Sequence, residues 1–407
     1  MRATFLLTAV LCAGGGLLLL PAVVLLVETL AALLPARRQK EQEPGVTPRV
    51  VVLVPAHNEV AQIAETVRAL VRDLPAEGSV LVIADNCTDE TALRARTAGA
   101  TVVERHDLSL VGKGFAISKG LEHLAASPPD VVIIVDADCQ ISPGGVARLA
   151  GRAARSGRPI QAEYLLGAPE SQSPMAVVSA LAVLLRNRIR PRGLDRLGLP
   201  CHLTGSGMAF PWNVLRAAPA TGANLVEDLV MGIDLALLGH PPELCPEVMV
   251  QSSLPEGSAA TLKQRRRWEH GQLHTLFTYA PRLLAAGIAR RQASLIALGL
   301  DLMVPPLALL VMLQVAWLGV TGLAWMLKAT SIVPASLAFV GLVQVGVVVA
   351  AAWIGFGRKT IRLRQLVFIP LYLVGKIPLY LALIFRGRQR KWERTTRKGE
   401  SPERSPK

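Results

Sequence analysis

From Thr4 to Leu34 the chain carries a single charged side chain, Glu28. The run is longer than the roughly 20 residues a helix needs to cross a bilayer. Hydrophobic residues make up 51% of the chain, but they concentrate at its two ends, so one soluble core does not account for them. The ends read as membrane and the middle as water-soluble. A secretory signal has a shorter apolar stretch closed by a small-residue cleavage site. No clear site of that kind precedes Arg37, Arg38 and Lys40, so residues 1–36 are expected to remain as a transmembrane helix.

That basic cluster marks the cytoplasmic face under the positive-inside rule, which puts the middle of the chain in the cytoplasm. A linker over 37–48 leads to a central domain expected over 49–275 and an interfacial segment over 276–293. Transmembrane and membrane-associated helices are expected over 294–386, and a basic cytoplasmic tail over 387–407. Ser294–Leu327, interrupted by Pro305 and Pro306, and Ile332–Phe356 both fit crossings, unless the first begins as an interfacial helix. Leu366–Phe385 contains Pro370, Lys376 and Pro378. A crossing there would leave the basic tail outside, so a re-entrant or interfacial segment is expected.

The formal net charge is +14, which in a soluble protein would point to nucleic acid. Here many of the Lys and Arg residues sit beside apolar runs, where they orient helices and meet anionic lipid. The middle has no basic stripe interleaved with aromatics, so the expected partner is the lipid bilayer and not nucleic acid. The five cysteines have no paired metal-ligand spacing and are assigned no chemistry.

After the linker, short β-branched runs alternate with helical patterns. Strands are expected at Val50–Val54, Ser79–Ala84, Thr101–Glu104 and Val131–Val135, with helices near Glu59–Val71, Thr88–Ala98 and Gly114–Ala126. This rhythm predicts a doubly wound parallel sheet, an α/β fold whose ligands bind beyond the carboxyl ends of the strands. No Gly-x-Gly-x-x-Gly follows the first strand, and Gly112-Lys113-Gly114 lacks the Ser/Thr and earlier glycine of a Walker loop. Dinucleotide enzymes and P-loop ATPases are thereby disfavoured.

Acids stand at three strand ends. Asp136-Ala-Asp138 brings two carboxylates out together, where Mg²⁺ or Mn²⁺ can bridge them to a diphosphate; a solvated turn gives the same pattern. Glu59 and Asp85 can accept hydrogen bonds from a base or ribose, or serve as helix caps with Asn58 or Thr88 as rivals for that role. Lys113, between glycines, can neutralise phosphate or sit in a solvated turn. Glu227 and Asp228 open an amphipathic helix, either as its cap or with Asp228 as a general base. Thr204-Gly-Ser-Gly207 is a turn that permits close backbone approach through Gly205 and Ser206. Gln264-Arg-Arg-Arg-Trp268 joins phosphate-binding guanidiniums to a flat indole, and is equally a membrane-surface anchor.

Taken in this order, these segments resemble the membrane-integrated branch of glycosyltransferase family 2, which includes cellulose, hyaluronan and poly-N-acetylglucosamine synthases. The resemblance covers about Val50 to Trp268. It implies a GT-A type sheet domain flanked by transmembrane helices, embedded in the inner membrane with the catalytic domain cytoplasmic. Glu59, Asp85, Lys113, Asp136, Gln264 and Arg267 would hold the donor nucleotide and diphosphate, with Asp136 and Asp138 on Mg²⁺ or Mn²⁺. Asp228 would be the base, and Trp268, Glu227, Gly205 and Ser206 would meet the acceptor. The implied reaction is an inverting transfer from a nucleotide sugar, with UDP as the expected nucleotide, onto a growing polysaccharide. The alternative is transfer of one sugar to a lipid acceptor. The turn Thr204–Gly207 lacks the Phe-Phe-Cys pattern of cellulose synthases, which argues against a cellulose product.

Overall fold

The computed structural model describes residues 2–36, 47–166, 174–219, 226–252, 258–358 and 361–386. The chain forms two compact units. Among the described residues, one comprises 47–166, 200–219, 226–252 and 258–271; the other comprises 2–36, 174–199, 272–358 and 361–386.

The first unit is built on eight strands: β1 (Val50–Ala56), β2 (Gly78–Asp85), β3 (Thr101–Arg105), β4 (Val131–Ile134), β5 (Cys139–Ile141), β6 (Ile160–Leu166), β7 (Met208–Pro211) and β8 (Glu243–Ser252). They form one sheet in the order β3-β2-β1-β4-β7-β6-β8-β5. The run from β3 to β4 is parallel. Beyond it, β7 pairs antiparallel with β4 and β6, β8 runs parallel to β6, and β5 runs antiparallel to β8.

The near-continuous valine run of β1 follows from burial on both faces, because side chains alternate across a strand. Val50, Val52 and Val54 pack with Ile63, Val67 and Leu70 from the helix Ile63–Asp73. Val51 and Leu53 face the opposite core, with Ile117, Leu124 and Phe210. From β1 the chain winds to β2 and β3 on one side and returns to β4 on the other. The switch point therefore lies between β1 and β4, where a ligand crevice opens.

The four strands expected from sequence are β1 to β4. The expected helices also form, as Ile63–Asp73, Thr91–Thr97 and Lys113–Leu124. The first begins later than its periodicity predicts because Asn58 takes a left-handed backbone, φ 52°, and Glu59 instead starts a turn. The antiparallel half carries no such rhythm. In β8 the register against β6 jumps from Ala162↔Cys245 to Glu163↔Met249, and Pro246, which has no N–H to give, falls inside that bulge.

Among the described residues of the other unit, three helices are long and apolar enough to cross a membrane: Thr4–Ala32, Leu307–Met326 and Val333–Gly357. Their outer faces carry exposed apolar side chains, among them Val10, Leu17, Phe339 and Val343, a distribution that water disfavours and lipid accepts. The run from Ser294 breaks as expected: a short apolar helix, Ala293–Leu302, ends before Pro305 and Pro306, and Leu307–Met326 follows. The last apolar run forms a 3₁₀ turn, Leu363–Phe368, and the helix Ile369–Arg386.

The segment Pro174–Arg196 comes from the middle of the sequence yet packs in this unit. Leu185 and Ile189 lie among Ala22, Leu25, Leu310 and Val348. Arg190 donates from Nε to Glu28 Oε2 at 3.0 Å and from Nη2 to Asp301 Oδ1 at 2.6 Å, with all three residues buried. The one charge of the N-terminal run is thus paired inside the bundle, the arrangement that ionic groups at membrane depth require.

Candidate active site

The polar residues at the carboxyl ends of β1, β2 and β4 are fixed by interlocking loops. Asn58 and Asn86 follow β1 and β2 with φ of 52° and 53°, a left-handed geometry that asparagine tolerates. Asn58 and Thr88 bond reciprocally: Asn58 Nδ2 donates to Thr88 Oγ1 at 3.0 Å, and Thr88 N donates to Asn58 Oδ1 at 2.7 Å. The N-caps of the two following helices are Gln62 and Glu90, so the alternative of Asn58 or Thr88 as the cap does not hold. Glu59 N donates to Thr91 Oγ1 at 2.8 Å, and Val60 N to Asp89 Oδ2 at 3.3 Å. His57 Nδ1 stands 2.7 Å from the Asp85 carbonyl oxygen, an acceptor only, so this nitrogen carries the proton.

At the end of β4 the charged groups converge. Lys113 opens its helix after Gly112; its Nζ lies 2.5 Å from Asp136 Oδ1 and donates to the Gly205 carbonyl at 2.5 Å. Ser206 accepts the Asp136 backbone N–H at 3.0 Å, and Gln161 Nε2 donates to the Ser206 carbonyl at 2.9 Å. The Thr204–Gly207 turn is thereby stitched to β4 and β6. Asp228 lies in the first turn of the helix Glu227–Leu237, whose N-cap is Val226 with no side-chain cap bond. The acids at this helix start are thus not its caps. A Cβ built on Gly205 would stand 3.1 Å from Asp228 Oδ2 and 3.9 Å from Lys113 Nζ, so the turn, the lysine and the proposed base meet at one place.

Burial works against the Lys113 charge, but Asp136, Glu227 and Asp228 outweigh it and hold the ammonium firmly protonated. Burial raises the Asp136 carboxyl, Lys113 opposes that, and Asp138 adds repulsion. The excess of carboxylate over ammonium makes this a place that favours a further positive charge. Asp136, Asp138 and Cys139 place their ligand atoms within 4.8 Å of one another. Two carboxylates suit a hard divalent cation such as Mg²⁺ or Mn²⁺. Burial, then Asp136 and Asp138, push the Cys139 thiol well up, and a hard cation prefers the two carboxylates to a thiol. Ser252 Oγ donates to Asp138 Oδ2 at 3.0 Å and orients it.

Of the residues singled out from sequence, Lys113, Asp136, Gly205, Ser206 and Asp228 form this cluster, with Asp138 two residues from Asp136 and Glu227 beside Asp228. Asp85 ends β2 and is joined to Arg105 by an ion pair of 2.5 Å. Gln264, Arg267 and Trp268 belong to the helix Ser258–Arg290, but their side chains lie outside the described residues. Arg105, Cys139, Gln161 and Ser252 were not legible as site residues. They are supplied by strands, three of them in the antiparallel half or beside it, and no motif marks them.

Comparison with known proteins adds the family. A sequence model described as glycosyltransferase like family 2 matches residues 48–271. Protein RfbJ of Shigella flexneri is 34% identical over 89 residues, which are 22% of this chain and 64% of that protein. The chain thus spans less than two thirds of that relative's length. Among solved structures, the mannosyltransferase PcManGT from Pyrobaculum calidifontis, in complex with GDP-Man and Mn2+, aligns over 91% of this chain and 99% of its own, at 17% identity and a TM-score of 0.51. Glucosyl-3-phosphoglycerate synthase from Mycobacterium tuberculosis aligns over 56% of this chain and 83% of its own, with 22% identity and a TM-score of 0.38. The likeness to the mannosyltransferase is one of fold, and it agrees with a GT-A-like α/β architecture carrying apolar helices. With the family match extending over more than half of its length, this chain belongs to the glycosyltransferase-like family 2.

Proposed function

We propose that the protein is a membrane-embedded, inverting glycosyltransferase that moves a sugar from a nucleotide sugar to an acceptor at the cytoplasmic membrane face. The observation that carries this reading is the cluster of Lys113, Asp136 and Asp228 around Gly205, at the switch point of the sheet. Asp85 and Glu59 hold the nucleoside at the ends of β1 and β2. Lys113 and the first backbone N–H groups of its helix receive the diphosphate, for which a helix start is a natural anion site. Asp136 and Asp138 would hold Mg²⁺ or Mn²⁺, which supplies charge neutralisation for the departing diphosphate.

Asp228 removes the proton from an acceptor hydroxyl as its oxygen bonds to the anomeric carbon and the bond from that carbon to the diphosphate breaks. Attack opposite the leaving group inverts the anomeric centre without a covalent intermediate. The resemblance to family 2 assigns Gln264, Arg267 and Trp268 to the diphosphate and acceptor side, and Glu227 to the acceptor.

The acceptor is a growing polysaccharide in the first reading and a single lipid in the second. A screen of labelled UDP- and GDP-sugars in reconstituted membranes decides this: high-mass product supports the polymer, and a single-sugar glycolipid supports the lipid. Chelation, or joint Asp136→Asn and Asp138→Asn, is expected to abolish transfer; activity surviving both would sink the metal assignment.

A further inference from the structure

Arg105, the last residue of β3, is heavily engaged beside the proposed donor site. Its Nη1 donates to Asp85 Oδ1 at 2.5 Å and to the Leu110 carbonyl at 2.9 Å, and its Nη2 to Asp107 Oδ2 at 3.3 Å. The guanidinium carbon lies over the Phe115 ring, 5.6 Å from its centre. Only 11% of the Arg105 side chain and 7% of that of Asp85 are exposed. Asn86 holds the same loop from below, giving Nδ2–H to the Asp107 carbonyl at 3.1 Å and accepting the Asp107 N–H at 2.7 Å.

Three parts of the site therefore converge on one guanidinium. Asp85 ends β2, where a base or ribose would be held. The stretch 107–110 leads into the Lys113 helix, and Phe115 lies in that helix's first turn. A nucleoside diphosphate reaches from one to the other, so its affinity depends on how well their separation is set. A planar fork with five N–H groups can satisfy acceptors on several sides at once; an ammonium is a single point. Arg105 and Asn86 both donate to Asp85 Oδ1, which leaves Oδ2 as the oxygen that can accept from the ligand.

We infer that Arg105 is a positioning residue for the donor, fixing the Asp85 carboxylate against the start of the Lys113 helix so that a nucleoside diphosphate meets both in register. This rests on the proposed assignment of Asp85 and Lys113 to the donor. A merely architectural ion pair would act differently: its loss strands the buried Asp85 carboxylate and lowers stability, and binding would weaken only as far as the fold loosens.

The test uses the purified full-length protein in detergent with Mg²⁺, titrated calorimetrically with UDP and with GDP. Arg105→Gln is expected to weaken whichever diphosphate the parent binds by about tenfold, the scale of one charged hydrogen bond. Arg105→Lys should fall between the two. The double variant with Asp85→Asn should bind within about twofold of Asp85→Asn alone, because both changes remove one linked arrangement. Parental affinity in Arg105→Gln, or additive losses in the double variant, would overturn the inference. So would parental binding by Arg105→Lys alongside an Arg105→Gln variant whose loss of affinity tracks a lowered melting temperature. A parent that binds neither diphosphate would instead bring down the donor reading itself, and this inference with it.

Discussion

Gly205 has φ of +98° and faces both Asp228 and Lys113. Two costs meet in Gly205→Ala. The left-handed backbone disfavours a Cβ by roughly 1–2 kcal/mol, and the new methyl would press on Asp228 Oδ2 at 3.1 Å. The expected outcome is a loss of at least about tenfold in turnover, the effect of about 1.4 kcal/mol on a barrier, with the circular dichroism spectrum of the parent retained. Parental turnover would mean that Asp228 does not act at this spot. The glycine itself was legible as part of a permissive turn, but its neighbours were not. Nothing in Thr204–Gly207 says that the turn will be drawn onto Lys113, because that contact links residues 92 positions apart. Arg105 escaped notice for a similar reason: a lone arginine ending a short strand looks like a solvated edge residue until the fold buries it against Asp85.

At the scale of elements, the parallel half of the sheet could be read because strands buried on both faces must be apolar throughout, as β1, β4 and the stretch 80–84 of β2 are. The antiparallel half could not. Short β5, bulged β8 and its Pro246 lack the alternation that marks a strand, and their pairing is imposed by tertiary contacts. In the apolar unit, the same limit hid the role of Glu28. Its partner Arg190 lies 162 residues away, in a segment whose own sequence reads simply as basic. The helix Arg190–Arg196 also comes so close to Glu28 that a Cβ on Gly193 would collide with the Glu28 carbonyl oxygen. Arg190→Met should therefore destabilise this unit by about 3 kcal/mol or more, since it strands two buried carboxylates. A thermal melt in detergent reads this directly: an unchanged midpoint would show that the ion pairs are not formed.

At the scale of the whole molecule, the sequence joins an apolar, lipid-compatible helical unit to a sheet unit of family 2 type, and the proposed chemistry belongs wholly to the latter. On the proposed reading Lys113, Asp136 and Asp138 meet a nucleoside diphosphate and a cation, but many proteins bind such ligands without transferring a sugar. What separates an enzyme from a binding module is a base at the acceptor side, the role proposed for Asp228. The most direct measurement compares the parent with Asp228→Asn in two assays, calorimetric binding of UDP and GDP and transfer of a labelled sugar in reconstituted membranes. The account predicts diphosphate affinity within about twofold of the parent and turnover reduced by about 10²-fold or more, the contribution of a positioned general base. Sugar transfer at the parental rate by Asp228→Asn would contradict it.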